Sequence, residues 1–231
     1  MRDSQIKNPQ DLAQYIDHTL LRADATLQDI KTLCEEAARH SFKAVCVNPI
    51  FVAATRGFLN GTPVMTAAVI GFPLGASLAS TKSVETASAI RDGAREIDMV
   101  LRLDLAKAGD WGGVEDDIRT VVTAADKHVV KVILETGLLD EDQIARACQA
   151  AESAGAQFVK TATGFLGRGA SLEDIMLMKK SCSLKMEIKA SGGVKTFEQA
   201  KALIDAGATR LGTSSGVALV TGLSATAGTT Y

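Results

Sequence analysis

The sequence predicts a (β/α)8 barrel, and three observations carry that expectation. Eight short, apolar, β-rich runs alternate with segments of helical length along the 231 residues, the pattern of βαβ crossovers and a parallel sheet. Helix-start signals recur between the runs. A Gly-Ala pair also recurs between helix end and strand, in "IRDGAREIDM", "ESAGAQFVKT" and "IDAGATRLGT". Eight such units fit a closed barrel. A doubly wound open sheet is the alternative, but no GxGxxG fingerprint follows the first strands.

The strands are expected at 16–20, 44–47, 65–70, 96–101, 129–134, 158–161, 186–190 and 210–212. Thr26-x-x-Asp29, Asp140-x-x-Gln143, Ser171-x-x-Asp174 and Thr196-x-x-Gln199 read as capping boxes that start the helices between them. Gly93, Gly155 and Gly207 fit the left-handed position that closes a helix before a short loop. No composition break or low-complexity linker interrupts the chain. One domain over residues 1–231 is therefore expected, with a flexible Gly/Ser/Thr tail at about 222–231.

Composition excludes several classes. With 46% hydrophobic residues the chain can bury a substantial core. A net charge of −2 with acids and bases interspersed leaves no footprint for nucleic acid or a membrane surface. No basic-then-apolar N-terminus and no apolar run of about 18 residues is visible, so a cytoplasmic location is expected. Cys34, Cys46, Cys148 and Cys182 are far apart, and His18, His40 and His128 have no ligand spacing. Core thiols are expected, without disulfides or a metal site.

The Gly-Ala repeat sets a register. Counting five residues on from each glycine reaches Asp98, Lys160 and Gly212, expected at matching positions on the fourth, sixth and eighth strands. Side chains of alternate barrel strands share an interior layer, so an aspartate, a lysine and a gap would face one another. Lys131, Lys160 and Lys189 are 29 residues apart in both steps, one βα unit each, and so fall on consecutive strands. A lone strand lysine ordinarily snorkels its head to solvent. Three beside an aspartate point to a site.

Buried, clustered amines depress one another's pKa, and a lysine neutral near pH 7 can form a Schiff base with a carbonyl. A neighbouring cationic lysine and a carboxylate can then move protons. Asp98 is the best-placed carboxylate; Glu135 is either a weaker candidate or only a partner for a lysine. Gly192 and Gly193 in "KASGGVKT", and Gly212, Ser214 and Ser215 in "RLGTSSG", follow the seventh and eighth strands. There, backbone amides and a helix N-terminus form a phosphate cradle. "VIGFPLG" reads either as a plain turn or as a loop over the substrate, and Trp111 as a packing residue.

Eight motifs then occur in order, one at each expected strand: "YIDHTLL", "AVCVNP", "AAVIGFPLG", "EIDMV", "VKVILET", "FVKTATGF", "IKASGGVKT" and "RLGTSSG". Together they resemble the deoxyribose-phosphate aldolases, class I aldolases on a (β/α)8 barrel. The resemblance implies reversible, cofactor-free cleavage of 2-deoxy-D-ribose 5-phosphate to acetaldehyde and D-glyceraldehyde 3-phosphate. It puts the Schiff base on Lys160, pKa perturbation and proton transfer on Lys189, and general acid/base work on Asp98. Phosphate contacts carry over to Gly164, Gly192, Gly193, Gly212, Ser214 and Ser215, with Lys131, Asp17 and Cys46 in support. A homodimer is the implied assembly.

Two departures stand out. "LRLDLAKAGD" follows the aspartate motif, where Arg102 shares strand parity with Asp98 and points either to the pocket mouth or to solvent. The tail ends at Tyr231, which either frays or reaches the site. Two other classes remain open: a phosphosugar isomerase, which needs an enediol base but no lysine trio, and a non-catalytic phosphosugar-binding barrel, which does not require Lys160.

Overall fold

A computed structural model describes residues 6–222, so the expected tail beyond Gly222, with Tyr231, lies outside the described residues. Eight parallel strands close in sequence order: β1 (Ile16–Leu20), β2 (Ala44–Val47), β3 (Met65–Ile70), β4 (Glu96–Val100), β5 (Val129–Ile133), β6 (Phe158–Lys160), β7 (Glu187–Ser191) and β8 (Arg210–Thr213). Closure is made where Asp17 of β1 pairs with Gly212 of β8. The eight expected strands are the eight observed, within one residue at each end. The barrel is the predicted fold.

Helices α1 (Leu27–Arg39), α2 (Val52–Phe58), α3 (Ala79–Asp92), α4 (Leu103–Ala108), α5 (Trp111–Ala125), α6 (Glu141–Ser153), α7 (Leu172–Ser181), α8 (Phe197–Ala206) and α9 (Gly216–Thr221) fill the connections. Thr26, Asp140 and Thr196 make the reciprocal capping boxes expected of them. Ser171 accepts from the Asp174 amide, but the Asp174 carboxylate turns instead to Arg168 and Thr136. At the helix ends Gly93 and Gly207 have φ of +121° and +131°, a region closed to side chains. A Cβ on Gly93 would also stand 2.3 Å from Arg56 Cδ.

Strand alternation divides the side chains into two populations. Ile97, Met99, Val130, Val132, Val159, Ile188 and Leu211 point outward into one apolar core shared with the helices. Their neighbours Glu96, Asp98, Lys131, Lys160, Lys189 and Arg210 point inward and are likewise buried. The apolar shell outside the strands is what allows the inside to be ionic. Cys34, Cys46 and Cys148 are buried as core thiols, with Cys182 half-buried, and Trp111 packs half-buried against the core. Among the described residues no helix is long and apolar enough to cross a membrane.

A second buried ion pair lies outside the barrel. Lys82 of α3 donates to Asp117 of α5 at 2.6 Å and to the Val100 carbonyl at 2.9 Å, and its side chain is fully buried. Burial dominates both groups, lowering the Lys82 pKa and raising that of Asp117. Removing one partner strands the other as a buried charge, whereas replacing both with apolar groups leaves no buried charge and gives up only the bond to the Val100 carbonyl. Lys82→Met is expected to cost about 3 kcal/mol in urea unfolding, and Lys82→Met/Asp117→Leu to recover most of it. A double variant as unstable as the single one would contradict this account.

Candidate active site

Strand parity stacks the interior in three layers. The lowest holds Glu96, Phe158 and Arg210, each two residues before the even-strand register of Asp98, Lys160 and Gly212. Between these two lie Asp17, Lys131 and Lys189 from odd strands. The side chains join accordingly. Lys131 Nζ bridges upward to Asp98 Oδ1 at 2.9 Å and downward to Glu96. Arg210 donates to Asp17 Oδ1 at 2.7 Å and to Glu96 Oε2 at 2.9 Å, and lies 5.4 Å from the centre of the Phe158 ring.

At the upper layer Asp98 Oδ2 accepts from both Lys160 and Lys189, each at 2.8 Å. Lys189 also donates to Asp17. Gly212 supplies the expected gap: a Cβ there would stand 2.9 Å from Lys189 Cε and 2.9 Å from Ser191 Cβ. Cys46 completes the layer, its thiol 4.0 Å from Asp98 Oδ2.

Four basic side chains thus share a buried chamber with three carboxylates. The environments separate the lysines. Burial pulls against the charged form of Lys189, but Asp17 and Asp98 outweigh it and hold the pKa well above the usual range. Burial likewise opposes charge on Lys131, and Asp98, Asp17 and Glu96 outweigh it. Lys160 differs. Burial pushes its pKa below the ordinary lysine value, Lys189 adds to the push, and Asp98 only partly opposes. Burial works against the Asp98 carboxylate, yet Lys131, Lys160 and Lys189 together hold it well below the carboxylate range. Burial and the Asp98 charge push the Cys46 thiol up to about 11, so it stays protonated.

Lys131 sits in the middle layer, where its amine bonds Asp98 and Glu96. Of the two directions open to Arg102, the pocket mouth is not the one taken. Arg102 is the N-cap of α4, bonds Asp104 at 2.7 Å, and lies on the side of the Lys82–Asp117 pair. Strand parity stops at Val100, so it no longer governs Arg102. Glu96 and Arg210 escaped sequence reasoning, although both lie two residues before register positions and could have been found that way.

The loops above the chamber are tied together. The Ala170 amide donates to the Gly192 carbonyl at 3.0 Å, and a Cβ on Gly169 would stand 2.1 Å from that oxygen. Thr213 Oγ1 donates to the Val194 carbonyl at 2.7 Å and accepts from the Ser215 amide at 2.9 Å. Gly164, Gly192 and Gly193 all have positive φ. The segments carrying Gly164, Gly192, Gly193, Gly212, Ser214 and Ser215 therefore converge over β6, β7 and β8. From the "VIGFPLG" loop, Phe72 meets Phe165 edge-on, ring centres 5.1 Å apart.

Residues 12–223 match the family described as DeoC/LacD family aldolase. The chain belongs to this family. It is 53% identical over 213 residues to deoxyribose-phosphate aldolase 1 of Oceanobacillus iheyensis, covering 92% of this chain and 96% of that one. The deoxyribose-phosphate aldolase of Deinococcus radiodurans is 52% identical over 211 residues, covering 91% and 96%. The structure of the deoxyribose phosphate aldolase of Aeropyrum pernix, described as tetrameric, superposes with a TM-score of 0.87 at 34% identity, covering 93% of this chain and 91% of that one.

The depressed carboxylates link the chamber to acid stability. Asp17, like Asp98, is held below the ordinary range because Lys189, Lys131 and Arg210 outweigh burial. A carboxylate whose pKa is lower folded than unfolded contributes stability above its unfolded pKa of about 3.9 and loses it as pH falls. The urea midpoint is therefore expected to fall steeply below about pH 4. A midpoint that is flat or rising from pH 4 to 2.5 would sink this assignment.

Proposed function

We propose that this chain is a deoxyribose-phosphate aldolase that works through a Schiff base on Lys160. The observation that carries the reading is the contrast among three buried lysines sharing one aspartate, of which only Lys160 is pushed below the ordinary lysine pKa. The names and identities of the family relatives support the substrate class.

The neutral Lys160 amine attacks the C1 aldehyde of 2-deoxy-D-ribose 5-phosphate, and the carbinolamine hydroxyl, taking a proton from the Lys189 ammonium, leaves as water to give a protonated Schiff base. Acetaldehyde carries C1 and C2, so the bond that breaks is C2–C3. Asp98 takes the C3 hydroxyl proton as the C2–C3 electron pair flows into the iminium. Glyceraldehyde 3-phosphate leaves, and an enamine remains on Lys160. Protonation at C2 restores the iminium, and hydrolysis releases acetaldehyde and the free amine. Lys189, held cationic, keeps Lys160 neutral and passes protons with Asp98.

The phosphate is held by backbone amides of the converging loops at Gly164, Gly192, Gly193 and Gly212 and by Ser214 and Ser215. An isomerase would have no use for the lysine contrast. The same reading extends to a homodimer, which light scattering on the purified chain would report.

Borohydride reduction with acetaldehyde is expected to leave a stable two-carbon adduct on Lys160. An adduct on Lys189, or none, would overturn the assignment. Lys160→Leu should abolish cleavage, a loss of at least about 10⁴-fold, with the unfolding midpoint retained. The kcat/KM profile should rise with pH through the depressed Lys160 value. In Lys189→Leu that limb should move to higher pH, because the removed cation no longer disfavours charge on Lys160; an unmoved limb would count against Lys189 as the perturbing group.

A further inference from the structure

Glu135 is a buried carboxylate that the reaction steps above do not use. It follows β5 with φ 55° and ψ 57°, the left-handed region that non-glycine residues adopt at a cost. Ser41 and Asp126, the other described non-glycine residues with positive φ, are exposed. Glu135 is fully buried. Its Oε2 accepts from the Thr163 amide at 3.1 Å and from the Thr163 hydroxyl, while Oε1 is buried with no hydrogen-bond partner. Desolvating a carboxylate and straining its backbone are both costs that a plain turn does not require.

What Glu135 holds is the turn after Lys160. With its proton given to Glu135, Thr163 Oγ1 accepts from the Phe165 amide at 3.1 Å. The donors on either side of Gly164 are thus both committed. The Gly164 amide itself has no partner among the described residues, and Gly164 has φ of +83°. The base of the turn is pinned as well, since Leu134 donates to the Lys160 carbonyl at 2.9 Å and Thr136 to the Thr161 carbonyl at 3.0 Å. The end of β5 is therefore a template on which residues 160–165 are laid.

We propose that Glu135 is a positioning residue for phosphate binding: by engaging both Thr163 donors it fixes the turn in which the Gly164 N–H is left free for the anion. The inference rests on the aldolase reading, which makes Gly164 a phosphate ligand. A carboxylate suits the task because it is acceptor-only and takes both Thr163 donors on one oxygen. Glutamine keeps an acceptor oxygen; alanine does not.

Steady-state kinetics on phosphorylated and unphosphorylated 2-deoxyribose tests the proposal. Glu135→Ala is expected to raise KM for the phosphorylated sugar about tenfold, with kcat within about threefold, as loss of an ordered anion contact would. Its kcat/KM for unphosphorylated 2-deoxyribose should stay within about twofold of the parent. Glu135→Gln should restore KM to within about threefold. Thr163→Val should raise KM like Glu135→Ala, and the double variant should be no worse than the poorer single one, since both break one link.

Equal losses on both sugars, a fall in kcat at unchanged KM, no rescue by glutamine, or additive effects of the two substitutions would each overturn it. Acetaldehyde carries no phosphate, so borohydride labelling of Lys160 should persist in every variant. If labelling fails in the parent protein, the Schiff-base reading has failed rather than the role of Glu135.

Discussion

The Asp98 carboxylate, shared by three lysines in the barrel interior, is the interaction on which the site depends. Its two oxygens accept from Lys131, Lys160 and Lys189 at 2.8–2.9 Å with no exposure to solvent. Such a group is stable only because its charge is neutralised several times over. The lysines depend on it in turn, but unequally. Lys189 has Asp17 as a second anion and Lys131 has Glu96, while Lys160 has Asp98 alone. In a chamber of four bases and three acids one proton is in excess, and the base with the fewest anions gives it up most readily. The lowered pKa of Lys160 is thus a consequence of counting charges.

The barrel supplies the distances. Parallel strands with a fixed register put Lys160 opposite Lys189 across one ladder and Asp98 opposite Lys131 across another. The lower layer acts as a floor, with Arg210 bonded to Asp17 and Glu96 and stacked near Phe158. That floor orients Asp17, which fixes Lys189, which sets the potential at Lys160. The apolar shell outside the strands keeps solvent from screening any step of this chain.

Much of this was legible in the sequence because barrel units repeat. The Gly-Ala loops are equivalent, so a count of five residues aligns Asp98, Lys160 and Gly212 from the chain alone, and the gap at Gly212 is filled by Lys189. What was not legible came from the third dimension. Glu96 and Arg210 open their strands, where polar residues ordinarily meet water, and only the stacked layers bury them. Lys131 and Lys189 have the same spacing from Lys160 yet both lie one layer below it, because spacing along the chain does not encode strand stagger. Lys82 sits in a helix whose sequence reads as polar surface, and the packing of α3 on α5 encloses it.

The same charge count explains why the chamber is not simply apolar. A hydrophobic interior of equal volume would stabilise the barrel without the desolvation cost of seven ionisable groups. It would also leave a lone lysine nothing to be neutral against, since burial alone would depress its pKa without holding a proton acceptor beside it. The excess base needs anions near enough to receive protons and cations near enough to deny it one. Those demands conflict unless the anions are shared, as Asp98 is between Lys160 and Lys189. The stability given up to bury the cluster and the lowered pKa of Lys160 therefore have a common origin in one carboxylate held by more bases than it can neutralise.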